Sequence, residues 1–121
     1  EVVSVVAGTN HGWPACVGDN RAVVESGIVD PCVGVPASQA TFGPGATPTG
    51  IAVAPWDVDR LVVALWVEGR IVAFSAAPSA APATVELVTD QLDRPQHLVG
   101  DRDRLLVTDH EAGTIVAVER R

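Results

Sequence analysis

An internal repeat constrains this chain more than any other feature. Asp57-Val58-Asp59-Arg60-Leu61-Val62-Val63-Ala64-Leu65-Trp66-Val67-Glu68-Gly69-Arg70-Ile71-Val72-Ala73-Phe74 aligns without a gap on Asp101-Arg102-Asp103-Arg104-Leu105-Leu106-Val107-Thr108-Asp109-His110-Glu111-Ala112-Gly113-Thr114-Ile115-Val116-Ala117-Val118, and half of the aligned positions are identical. The offset of 44 residues is the size of one blade of a β-propeller, a unit that buries its apolar face only by stacking on a neighbour. Each copy reads as strand, polar turn, strand. Apolar residues at period two face an adjacent sheet. On that basis Leu61, Val63, Ile71 and Ala73 are expected in the same environments as Leu105, Val107, Ile115 and Ala117.

The rest of the chain fits around the repeat. Val2 to Val6 reads as a strand, so residues 1–7 would supply one strand to complete a blade. Residues 8–48 form a long irregular stretch rich in Pro, Gly, Asp and Asn. Such a loop is uncommon in a compact domain unless it is functional or stapled. Residues 49–90 read as a full blade: Ile51 to Ala54, Leu61 to Val67, Arg70 to Ser75 and, after an Ala/Pro/Ser linker, Thr84 to Thr89. Residues 91–121 read as three strands of the next: His97 to Val99, Leu105 to Asp109 and Thr114 to Glu119. The fold class expected is therefore all-β, with about two four-stranded blades.

Composition agrees. The chain is 47% hydrophobic, led by Val and Ala, with short runs broken by Gly, Pro and Asp, as β proteins are. A net charge of −7 argues against a nucleic-acid partner, since phosphate contacts need a basic surface. No apolar run reaches the length of a membrane span. Beginning at Glu1 without Met, the chain reads as processed or excised.

Cys16 and Cys32 fall in the irregular stretch. Bonded, they would close a loop of about 15 residues and pin it by about 3 kcal/mol in the chain-entropy view; unbonded, they are two buried thiols. The loop's need for a staple favours the bond, and a disulfide implies export to an oxidising compartment, periplasmic or secreted.

Ala7-Gly8-Thr9-Asn10-His11-Gly12-Trp13-Pro14, followed by Cys16, Gly18, Asp19 and Asn20, resembles the G-x-N-Y-G-W-P segment of the glucose/sorbosone dehydrogenase family, with His11 in place of the Tyr. The resemblance covers most of the chain and is strongest at Asn10, Gly12, Trp13 and Pro14. It implies a six-bladed propeller, and in many members an oxidation of sugars in which hydride passes from C1 to pyrroloquinoline quinone (PQQ) beside calcium. The family's catalytic His and calcium loop precede this segment, so the resemblance implies a chain that is catalytically incomplete by itself. The segment's own role reads as architectural: Gly12 for tight backbone geometry, Trp13 for packing, Pro14 for stiffness.

The resemblance also places Leu92-Asp93-Arg94-Pro95-Gln96-His97 where family members carry an R-x-R-D-like entry into a blade, facing the quinone carboxylates. Arg94 matches the first Arg and is the candidate cofactor contact, because guanidinium binds carboxylate bidentately. Gln96 and His97 depart from the pattern, and the family's cofactor-facing Lys falls near Val67. Asp109-His110-Glu111 is the densest polar cluster and reads as a solvated hairpin turn. Asp57/Asp59 and Asp101/Asp103 read as turn formers.

Two functions are expected: part of a PQQ-dependent aldose dehydrogenase-like propeller, or a non-catalytic propeller module for binding or scaffolding. Two blades leave open strand edges. A chain existing alone would then assemble with other copies as a homotrimeric ring, Val2 to Val6 of one copy completing the blade His97 to Glu119 of the next; otherwise it pairs with the remainder of its propeller.

Overall fold

The computed structural model describes residues 1–18 and 20–119. Among these the architecture is all-β, with three antiparallel sheets and one short 3₁₀ turn at Val24–Ser26. The chain divides into two units: residues 1–42 with 78–83, and residues 43–77 with the described residues from 84 onward.

The first unit is mostly irregular. Among its described residues the one sheet is a small hairpin of β1 (Cys16–Val17) and β2 (Arg21–Ala22). Cys16 and Cys32 are bonded, with Cα atoms 5.2 Å apart, as the need for a staple implied. The expected strand Val2 to Val6 is reduced to one bridge, Val2 to Ala40. Val5 and Val6 stay 84% and 64% exposed: alternating side chains make a strand only where a partner strand is present. The Ala/Pro/Ser linker belongs to this unit, tied by Ala83 N–H to the Gln39 carbonyl at 2.8 Å.

The second unit holds both repeat copies. β3 (Pro48–Ala54), β4 (Asp57–Leu65), β5 (Arg70–Ser75) and β6 (Glu86–Thr89) form a four-stranded meander. β7 (Pro95–Asp101), β8 (Arg104–Asp109) and β9 (Thr114–Glu119) form a three-stranded one. The repeat is reproduced in the register. Leu61 faces Phe74 and Ala64 faces Ile71; Leu105 faces Val118 and Thr108 faces Ile115, each pair 44 residues on.

The first strands also correspond, at a different offset. Pro48 and Pro95 open β3 and β7, and each is followed by a bulge before Gly50 and His97. This offset is 47 residues because seven residues separate the paired Val53 and Leu61 but only four separate their counterparts Gly100 and Leu105; the three extra residues fall in the register shift after Val53, at the start of β4. The gapless repeat therefore stops at Asp57 and Asp101, and β3 and β7 begin earlier than expected from the sequence, at Pro48 and Pro95.

The sheets pack face to face. Ala54, Val62, Ala64, Ile71 and Ala73 of the first meet Leu98, Leu105 and Val107 of the second in one apolar core. At Gly50 the strands come so close that a Cβ would lie 2.8 Å from the Gln96 carbonyl oxygen, so glycine is a packing requirement there.

The expected equivalence of environments is corrected. The hairpin register sets Val62 opposite Ala73 and Ala64 opposite Ile71, so Ile71 and Ala73 share a face with Val62 and Ala64. Leu61 and Val63 lie on the other face. Val62, Ala64, Ile71 and Ala73 are covered, whereas on the second sheet the corresponding face is bare: Ile115 is 71% exposed, and Val99 and Ala117 are exposed too. Leu105 and Val107, counterparts of Leu61 and Val63, supply the contact. The first sheet thus uses one face of the repeat unit and the second sheet uses the opposite one.

Candidate functional site

Arg94 lies in the segment between β6 and β7, at the sheet end that carries both hairpin turns, residues 66–69 and 110–113. Its main chain is clamped from two sides. The Asp109 carboxylate accepts the N–H groups of Asp93 at 2.9 Å and Arg94 at 2.8 Å, and His110 N–H donates to the Arg94 carbonyl at 3.0 Å. Gly69, at φ +65°, lets the first hairpin turn approach the same segment: a Cβ there would sit 2.5 Å from the Leu92 carbonyl oxygen. Thr49 Oγ1 donates to the Pro95 carbonyl at 3.0 Å, and Trp66 N–H donates to the Thr47 carbonyl at 3.0 Å.

Asp109 was expected in a solvated turn and is instead buried at the end of β8. Burial pushes its pKa up, but N–H donors from Arg94, Asp93 and Ala112 outweigh this and hold it below the ordinary value of 3.8. It is a fixed anion that orders the loop, and a carboxylate so occupied does not shuttle protons. Its neighbours divide: Glu111 is exposed, and the His110 ring packs on that of Trp66, centroids 5.1 Å apart.

The Arg94 side chain is half-buried, and among the described residues its guanidinium makes no ion pair or side-chain hydrogen bond. A held backbone with an unspent, partly desolvated guanidinium suits a carboxylate or similar planar anion. Gln96 and His97 are exposed on β7, and His97 N–H is taken by Thr108 Oγ1 at 3.0 Å. Val67 is exposed in the first hairpin turn.

The fit to PQQ with calcium is therefore partial. Arg94 can take one carboxylate. No group of three or more His, Cys, Asp or Glu side chains among the described residues is placed to hold a metal ion; in the Asp pairs, Asp57 Oδ1 accepts Asp59 N–H at 3.1 Å, and Asp101 pairs with Arg104 at 2.9 Å. No step through calcium follows from these residues.

The Asn10–Pro14 segment lies in the first unit. Asn10 Oδ1 accepts Gly12 N–H at 2.8 Å, and Gly12, at φ +83°, carries the chain so close to Cys16 that a Cβ would be 2.6 Å from the Cys16 Cβ. Gly12 thus plays the architectural part expected of it. Trp13 does not pack: it is 80% exposed, beside a cis bond to Pro14. Both His11 ring nitrogens are buried without a hydrogen-bond partner among the described residues. Asp19 lies outside the described residues.

The clamp on Arg94 was missed in the sequence, although one signal was present: position 109 is Asp where the other repeat copy has Leu65, a polar residue inside an apolar strand pattern. No family model and no curated protein matches the chain.

Proposed function

We propose that the chain contributes two blades to a six-bladed propeller of the PQQ-dependent aldose dehydrogenase type, as an exported protein, and that Arg94 holds a carboxylate of the cofactor. The observation that carries this reading is the unspent guanidinium of Arg94, presented on a backbone clamped by Asp109 and His110. Two repeat units in the same register, stacked face to opposite face, are how a propeller builds its ring. The disulfide accords with an oxidising compartment. When bound, PQQ would supply the two-electron acceptor; the chain's own part in this reading is to bind and orient it through Arg94.

The test is a PQQ titration followed by quinone absorbance, with wild type and Arg94→Ala compared. Loss of a charge-assisted bidentate contact weakens binding by about tenfold or more. Equal affinities in the two proteins, or no binding by either, would remove the quinoprotein reading. Sugar-dependent dye reduction by this chain alone with PQQ and calcium is expected to be absent.

A second reading is a non-catalytic module that assembles with other copies, and the bare face of the second sheet favours it. A ring of three copies would have that face meet the Val63–Phe74 face of a neighbour, which is already buried in the single chain, at 1% and 0% exposure. Strand exchange at a sheet edge makes no such demand.

A further inference from the structure

We propose that the peptide bond between Asp30 and Pro31 is a self-cleavage site, and that the two pieces it yields stay joined through the Cys16–Cys32 disulfide. The proposal is independent of both the quinoprotein and the assembly readings.

Asp30-Pro31 is the one Asp-Pro pair in the sequence. The chemistry of such a pair is local. The Asp carboxyl lies one methylene from its own main-chain carbonyl carbon, so attack on that carbon closes a five-membered ring. Reactions within one molecule gain large effective molarities. The bond to proline is a tertiary amide without an N–H, and its nitrogen takes up a proton and leaves more readily than that of a secondary amide. The step balances within the chain. A carboxyl oxygen of Asp30 bonds to the carbonyl carbon, and the C–N bond to Pro31 breaks. The carboxyl proton passes to the Pro31 nitrogen, giving a secondary amine and a cyclic anhydride at Asp30. Water then opens the anhydride to two carboxyl groups, so the sum is the addition of one water.

The structure sets this bond apart in three ways. Asp30 has φ +49°, whereas the ring of a following proline presses a residue into extended backbone, with φ about −120°. The strain sits on the residue whose bond would break, and breaking it removes the ring that imposes it. The carbonyl under attack is already polarised: Val33 N–H donates to the Asp30 carbonyl oxygen at 3.1 Å, where negative charge develops in the transition state. The carboxyl is also unspent. Asp30 is exposed, and among the described residues its side chain makes no hydrogen bond or ion pair. Those of Asp57, Asp101 and Asp109 are each engaged. The disulfide decides the product. Cys16 precedes the bond, Cys32 follows it by two positions, and the two are joined. Pieces 1–30 and 31–121 therefore remain one covalent molecule.

The test follows intact mass during incubation at the most acidic pH that leaves the fold intact, with the same protein in urea at that pH as the reference. The disulfide is kept in both. The folded protein should gain one water, and reduction should then release 1–30 and 31–121. Its rate should exceed that in urea by about tenfold or more, because the strained backbone and the Val33 donor exist only in the fold. Cleavage that is equal or faster in urea would be the ordinary lability of the dipeptide and would overturn the proposal, as would a folded chain that stays whole. Pro31→Ala should abolish the cut, and a variant still cut there would count against it equally. Hydroxylamine in the buffer should leave a hydroxamate on the 1–30 piece. A cut at this bond that never takes up hydroxylamine would assign it to a peptidase rather than to Asp30.

Discussion

Trp66 and His110 are repeat counterparts, 44 positions apart, and their rings pack against each other with centroids 5.1 Å apart at 47°. Equivalent positions of the two hairpin turns are therefore spatial neighbours. A double-mutant cycle with Trp66→Ala and His110→Ala should give a coupling of about 0.5–1.5 kcal/mol, read from urea unfolding. Strict additivity would mean that the rings touch without stabilising the turns.

Asp109→Ala should destabilise by about 2–4 kcal/mol, because it leaves the buried-side donors of Asp93 and Arg94 without an acceptor. Asp109→Leu should be no better, although Leu is the residue of the other repeat copy at Leu65: an apolar side chain fills the space and accepts nothing. Urea midpoints for the three proteins check this, and a Leu variant as stable as wild type would show the clamp to be dispensable.

The same carboxylate sets a pH dependence. Its folded pKa lies below the ordinary 3.8, so its contribution is complete above the unfolded value and is lost as pH falls through the folded one. The melting temperature of wild type should therefore exceed that of Asp109→Asn by a constant margin from neutral pH down to about 4, near the unfolded carboxylate value, with the margin closing below that. A gap that widens on acidification would reverse the assigned sign.

Two glycines should respond differently to alanine. Gly50→Ala sets a Cβ 2.8 Å from the Gln96 carbonyl oxygen, whereas at Gly100 the nearest atom is Pro55 Cβ at 3.6 Å. We expect a cost of about 1–3 kcal/mol for the first, as for other overpacked sites, and a change near zero for the second. Thermal unfolding of the two variants suffices.

Replacing Cys16 and Cys32 by Ser should cost about 3 kcal/mol in the chain-entropy view. Intact mass of the native protein before and after reduction should differ by two hydrogens, with no thiol alkylated beforehand, since no free cysteine is described.

Much of the second unit was legible because it is written twice. The strand–turn–strand repeat marked β4, β5, β8 and β9, and Arg70–Ser75 and Thr114–Glu119 fall where the pattern put them. β3 and β7 were blurred by the three extra residues that the first sheet carries in the register shift after Val53. Assignment of faces failed at Ile115 and Ala117, because period two says which residues share a strand face, not which face a neighbouring sheet covers. The clamp at Asp109 was hidden because its donors, Asp93 and Arg94, lie on a separate segment whose path no local pattern fixes. Trp13 reads as a packing residue by size alone, and its exposure is set by the path of an irregular loop.

The sheet contact joins unlike faces of like units, and this gives the stack a direction. A unit added to the bare side of Val99 and Ile115 by the same contact would expose an equivalent apolar face of its own. Such a series has no internal stopping point: each step recreates the surface it consumes. It ends only when curvature brings the last face round to the first, or when something of a different kind covers it.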